Sequence, residues 1–183
     1  MKGDTKTTIG VFSGLAFSGK SHYLNWVRKQ PEFRQTPVIA IDPIRKELFG
    51  DATATKTQHL FKNEAARWEI KKQLVSRQPR ALLIEMVMLT RENHQKPFVK
   101  MVRETQDVLH SIEKEKKSSA DSSPRIDLRV LYLYCSISAV KARIERRLKE
   151  KGECDIFDVS GYFKDAVRYD FPSAAEYTPL PID

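Results

Sequence analysis

Cys135 and Cys154 are the only cysteines in 183 residues. Two thiols are too few for a disulfide framework and lack metal-ligand spacing, so they read as inert thiols in a reducing cytosol. The four histidines, His22, His59, His94 and His110, are scattered, and no zinc site is legible. No apolar run approaches the roughly 18 residues of a membrane span. The stretch Met1 to Thr8 is polar and carries no signal-peptide core. A cytoplasmic protein without membrane contact is the expectation. Trp26 and Trp68 do not interleave with the basic residues, which argues against a stacking platform for single strands. No internal repeat is present.

What is there points to a single domain over residues 1–183. An apolar share of 40% and a charged share of 31% are ordinary for a globular chain of this length. The formal charge of +8 suits a protein that handles polyanions, either nucleotide phosphates or a nucleic-acid end. Lysines and arginines coating solvated helix faces account for it equally well.

The apolar pattern alternates between strand-like and helix-like segments. Residues 7–13, 38–41, 81–87 and 127–135 read as short apolar strands. Residues 20–29, 59–77, 91–116 and 138–150 read as helices, with a short helical piece up to Phe49. In the second of these, Phe61, Ala65, Trp68 and Val75 fall near one face and Ile70 and Leu74 on the other, so burial on both sides is expected. In the third, Phe98, Val102, Thr105, Leu109 and Ile112 form one stripe. Residues 117–125 read as a polar flexible loop. A short helix over 159–169 and a last strand near Tyr177 to Ile182 close the chain. Strands alternating with helices imply an α/β fold with a parallel sheet and right-handed crossovers.

The most specific signal is Gly14-Leu15-Ala16-Phe17-Ser18-Gly19-Lys20-Ser21, which satisfies G-x-x-x-x-G-K-[ST] at every fixed position. It lies between a strand and a helix, as the mechanism requires. Backbone N–H groups from Gly14 to His22 can curl around phosphate oxygens at a helix N-terminus. Lys20 reaches the terminal phosphates, and the Ser21 hydroxyl can ligate Mg²⁺. A nucleoside triphosphate with Mg²⁺ is the expected ligand, and the Asn-Lys-x-Asp run of a GTPase is missing.

In an open parallel sheet, ligands lie beyond the C-terminal strand ends. That rule selects Asp42, Arg45, Glu85, Thr90 and Arg91, and the segment after Cys135. Asp42 is placed to accept a proton from an attacking hydroxyl, or to reach Mg²⁺ through water, or to cap the helix starting at Pro43. Arg45 could hold an anionic acceptor or be a surface arginine. Glu85 in an apolar strand needs a metal shell, an acceptor or a salt bridge to be tolerated. Thr90 and Arg91 could line the acceptor pocket, though Thr90 could equally cap a helix. Arg143 and Arg147 flank the apolar stripe of the last long helix. Beside the Gly152 loop they suit a lid over about 143–158 that neutralises charge on a transferring phosphoryl group; a solvated basic face is the plainer reading.

Taken in order, the Gly loop, Asp42-x-x-Arg45, Leu89-Thr90-Arg91 and the arginine-rich helix resemble the small P-loop kinases. The polynucleotide-kinase-like and zeta-toxin-like phosphotransferases are the nearest group, over residues 8–172. The resemblance implies a P-loop NTPase fold with a five-stranded parallel sheet of order 2-3-1-4-5 and helices on both faces. It implies Asp42 as general base, Arg45 as an acceptor contact, and Arg143 and Arg147 as lid arginines. Glu85-Met86-Val87 stands where the family often has Asp-x-[TS]-N, so the acceptor stays open. The function so implied is transfer of the γ-phosphate of ATP to a hydroxyl on a nucleotide, a nucleic-acid 5′ end, a sugar nucleotide or another small molecule. The other class to weigh is an ATP-binding module or ATPase switch that phosphorylates nothing. Protein partners and oligomeric state are not legible.

Overall fold

The structure, a computed structural model, describes residues 6–50, 56–86, 92–115, 125–133 and 135–151. In chain order the elements are β1 (Lys6–Ser13), α1 (Lys20–Lys29), β2 (Val38–Ala40), α2 (Ile41–Phe49), α3 (Lys56–Arg77), β3 (Ala81–Met86), α4 (Glu92–Glu115), β4 (Arg125–Tyr132) and α5 (Ile137–Lys151). The four strands form one parallel sheet in the order β2-β3-β1-β4. These are the first four places of the expected order. The proposed fifth strand, the helix at 159–169 and residues 152–158 of the lid region lie outside the described residues.

The period-2 alternation of the strands divides the core into two layers. Ile9 and Val11 of β1, Leu82, Ile84 and Met86 of β3, and Val130 of β4 face α3 and α4. There they meet Ala66, Ile70, Leu74, Phe98, Met101 and Val102. Phe12, Leu83 and Leu131 face the other way and pack on Leu24 and Val27 of α1. Helices therefore cover both faces. Val11, Ile84 and Val130 stand side by side across β1, β3 and β4, so this row is the centre of the larger layer. Ile84→Ala should cost about 2–5 kcal/mol, because a fully buried side chain leaves a cavity its neighbours cannot close. Denaturant unfolding of the purified chain measures it.

Three expectations are corrected. The strand expected over 38–41 ends at Ala40, and Ile41 already belongs to α2. The strand-like and helix-like segments are each apolar there, so the run alone could not show the change. The cap of α2 is therefore Ala40, and Asp42 is not an N-cap. Arg125 is not part of a loop: it opens β4 and pairs in register with Lys6. In α3 the buried stripe is Ala66, Ile70 and Leu74, whereas Phe61 and Trp68 point to solvent. A small residue at 66 lets the helix lie close on the sheet, which the larger aromatics would prevent. The stripe of α4 is as expected: Phe98, Val102, Thr105 and Leu109 are all buried.

Candidate active site

The loop between β1 and α1 is shaped by a close approach at Gly14. A Cβ there would lie 2.2 Å from the Leu133 carbonyl oxygen and 2.7 Å from Ser18 Oγ. The end of β4 is fixed over the loop by Leu133 N–H donating to the Ser13 carbonyl at 2.7 Å. Further along, Phe17 takes φ 61° and Gly19 φ 100°, so the chain turns left-handed twice before α1 begins. Such turns aim successive N–H groups inward and leave the first donors of α1 without helical partners. Ser18 Oγ is buried with no hydrogen-bond partner. A cradle closed to a Cβ, with an orphaned hydroxyl and free N–H donors, fits a phosphate chain.

Lys20 Nζ donates to the Leu15 carbonyl at 2.7 Å and is buried. Burial pulls its ammonium below the ordinary lysine range, while Glu85 and then Asp42 favour the charged form. Two of its three donors remain available to an oxyanion. Ser21 Oγ donates to Glu85 Oε1 at 2.5 Å, linking the start of α1 to β3. A hydroxyl and a carboxylate side by side are hard oxygen donors of the kind Mg²⁺ takes. Among the described residues no group of three His, Cys, Asp or Glu side chains could hold a metal ion alone. Ser21 Oγ and Glu85 Oε1 could contribute oxygens to the shell of such an ion.

Helix α5 approaches from the other side. Arg143 Nη1 donates to the Phe17 carbonyl at 2.5 Å and lies 3.5 Å from Cys135 Sγ. The Cys135 thiol donates to the same carbonyl at 3.5 Å. The Arg147 guanidinium sits over the Phe17 ring, 5.9 Å from its centroid. Below them Leu15 packs on Val140 and Ile144. Both arginines are thus brought to the Gly loop, and Arg143 supports its backbone as well as adding charge.

Asp42 is exposed in the first turn of α2, a favourable place for a carboxylate beside the helix dipole. Its neighbour on α3 is Lys62, which no sequence pattern singled out. Burial lowers the Lys62 ammonium, Asp42 favours its charge and Arg45 opposes it. A polar residue in mid-helix gives no periodic signal, so only the docking of α2 on α3 reveals it. Asp42 thus lies within electrostatic reach of both Lys20 and Lys62. His22 is exposed on α1. Thr90 and Arg91 lie outside the described residues.

Solved structures share this arrangement of sheet, loop and helices. The fold is one that solved kinases share, a gluconokinase among them. A gluconokinase from Sinorhizobium meliloti 1021 aligns over 94% of this chain and 81% of its own, at 18% identity and a TM-score of 0.52. Chaetomium thermophilum Kti12 in complex with ADP-AlF3 aligns over 96% and 89%, at 16% identity and a TM-score of 0.56. A chain of the Pnkp1/Rnl/Hen1 RNA repair complex aligns over 88% of this chain at 14% identity and a TM-score of 0.59, and this chain spans 43% of it. No protein-family model and no curated protein matches the sequence. No described helix is long and apolar enough to cross a membrane.

Proposed function

We propose that this chain is an ATP-dependent phosphotransferase that moves the γ-phosphate to a hydroxyl acceptor. The observation that carries the reading is the cradle between β1 and α1, closed to a Cβ at Gly14, with buried Lys20 and the Ser21–Glu85 contact at its mouth. Asp42, in the first turn of α2 and within electrostatic reach of Lys20, is its candidate base. A phosphate loop alone needs no such partner, whereas in-line transfer needs a base for the acceptor proton. Asp42 accepts the proton of the hydroxyl as its oxygen attacks phosphorus. Lys20 holds the terminal phosphate oxygens, and Arg147 with the free donors of Arg143 balances charge gathering on the phosphoryl group. Mg²⁺, held by Ser21 and Glu85, supplies further neutralisation at the phosphates when bound. Arg45 and Lys62 stand on the acceptor side, where a negative group on the acceptor would be held.

Two neighbours bear on the acceptor. One is a gluconokinase, which suits a small hydroxyl compound, and one is a chain of an RNA repair complex, which suits a nucleic-acid 5′ end. A γ-labelled ATP transfer screen over nucleosides, oligonucleotide ends, sugar nucleotides and small alcohols separates them. The test of the reaction class is Asp42→Asn. Turnover of the acceptor should fall about 100- to 10,000-fold with ATP affinity unchanged.

A second reading is favoured by one contact. Arg143 is engaged with the Phe17 carbonyl and Cys135, which is what a loop-stabilising residue of an ATP-binding switch would do. In that case Asp42→Asn leaves ATP hydrolysis unaltered and no acceptor in the screen is labelled.

A further inference from the structure

Helix α3 carries two apolar arcs, and the sheet uses only one of them. The second arc consists of Leu60, Phe61 and Trp68, which are 58%, 62% and 63% exposed. Half-buried Val75 continues it toward the C-terminal end. Leu60, Glu64, Trp68 and Lys72 recur every four residues, so they lie along one side of the helix. Single exposed apolar residues are ordinary, but three large ones on one helix face mark an interaction site. The stripe runs from 60 to 75, about 22 Å at the helical rise of roughly 1.5 Å per residue.

The charges on this stripe say what covers it. Glu64 and Lys72 stand four residues to either side of Trp68, and both are largely solvated, with side chains 67% and 53% exposed. Their present partners are local: Glu64 meets Arg67, Lys72 meets Glu69 at 3.4 Å, and the Lys72 ammonium lies 5.1 Å from the Trp68 ring centroid. Exposed pairs of this kind are worth a few tenths of a kcal/mol and exchange readily. Suppose two such helices cross antiparallel at Trp68. A residue a given number of places before Trp68 then faces the residue the same number after it on the other copy. Glu64 meets Lys72 twice, and Phe61 meets Val75 twice. This is the self-complementarity an isologous two-fold contact requires. A polyanion would instead meet Glu64 on the same stripe.

We propose that the outward face of α3 binds a second copy of this chain in an antiparallel helix pair centred on Trp68. The contact does not depend on the reaction assigned to the chain. The exposed side chains on each copy bring the pair to roughly 1,000 Å² of total buried surface, the low end for a specific interface. A reversible, micromolar equilibrium follows.

Sedimentation of the full chain over a rising concentration series tests this, with Glu64→Lys, Lys72→Glu and an equal mixture of the two. The unaltered chain should pass from monomer to dimer. Each reversal alone places like charges opposite each other and should weaken association about tenfold or more. In the mixture every crossing pair is again opposite in sign, and association should return to within about threefold of the unaltered chain. Both positions are exposed, and thermal unfolding of each variant verifies that the fold is kept. Trp68→Ala, which removes the central ring without touching charge, should also leave a monomer. A chain that stays monomeric into the hundred-micromolar range overturns the proposal. So does a dimer indifferent to both reversals, or a mixture that does not recover. Quenching of Trp68 emission by a single-stranded oligonucleotide on a monomeric chain would make this face a nucleic-acid platform and overturn it too.

Discussion

Lys20→Ala should lower phosphoryl transfer by about three orders of magnitude. The reason lies in where the ammonium sits. It is buried, it ties the loop together through the Leu15 carbonyl, and it faces Glu85 and Asp42. Alanine removes the cation from the phosphates and leaves two carboxylates facing the space they would enter. Single-turnover transfer with labelled ATP reads the chemical step, and equilibrium binding reads the affinity, which should fall as well. Loss of the Leu15 hydrogen bond adds about 1 kcal/mol of destabilisation without nucleotide. The position of Lys20 also gives ATP binding a pH dependence. Burial lowers the pKa of the free protein's Lys20, whereas phosphates beside it raise that of the complex. Binding therefore favours the protonated lysine, and ATP affinity should decline as pH rises on the alkaline side. The Lys20→Arg chain, whose guanidinium does not titrate there, should not follow that decline.

The second large effect is expected at Gly14. A methyl group 2.2 Å from the Leu133 oxygen cannot be accommodated by rotating a side chain, because the obstacle is backbone held by its own hydrogen bond to Ser13. Either the end of β4 lifts or the loop changes shape. Gly14→Ala should cost about 3 kcal/mol, the upper part of the overpacking range, which is roughly 10 °C in Tm for a chain of this size. Nucleotide binding should be lost with it, since the Ser18 side of the cradle is displaced. Gly19→Ala is the control. Its nearest neighbour would be the Arg143 guanidinium at 3.5 Å, so the penalty there is the left-handed backbone alone, about 1–2 kcal/mol. If the two variants melt together, the close approach at Leu133 is not what fixes the loop.

How much of this was legible in the sequence depends on the kind of signal. The place of the Gly loop between a strand and a helix was legible, because it is set by a short local pattern. The parallel α/β class and the α4 stripe were also legible, since long periodic segments repeat the same preference many times. The join of β2 to α2 was not. Val38 to Ile41 is apolar throughout, and nothing local marks where extended backbone becomes helical. That one-residue matter decided whether Asp42 caps a helix or stands free in its first turn. The face of α3 was misread for a different reason. Two apolar arcs compete on one helix, and the choice between them is made by the sheet, which accepts Ala66 and excludes Trp68. Lys62 was invisible because its meaning comes from α2 docking beside it. Arg143 was selected as a charge for the phosphoryl group, yet its contact with the Phe17 carbonyl could not be inferred from a helical wheel.

The contacts around Phe17 have a bearing on how the site comes into being. The residues that hold its carbonyl are 118 and 126 positions away along the chain, and the oxygen over Gly14 belongs to the last turn of chain before α5. Segments so distant meet only after the intervening sheet has closed, and loop-closure entropy makes such meetings late events. Residues 6–29 contain the entire phosphate motif and the Lys20–Leu15 tie, but none of the contacts from β4 and α5 that brace it from outside. During synthesis the nascent chain should therefore be blind to nucleotide until β4 and α5 have emerged. Nucleotide added to a refolding chain should speed no early step, and should act only on the last one, as a latch on a fold already assembled.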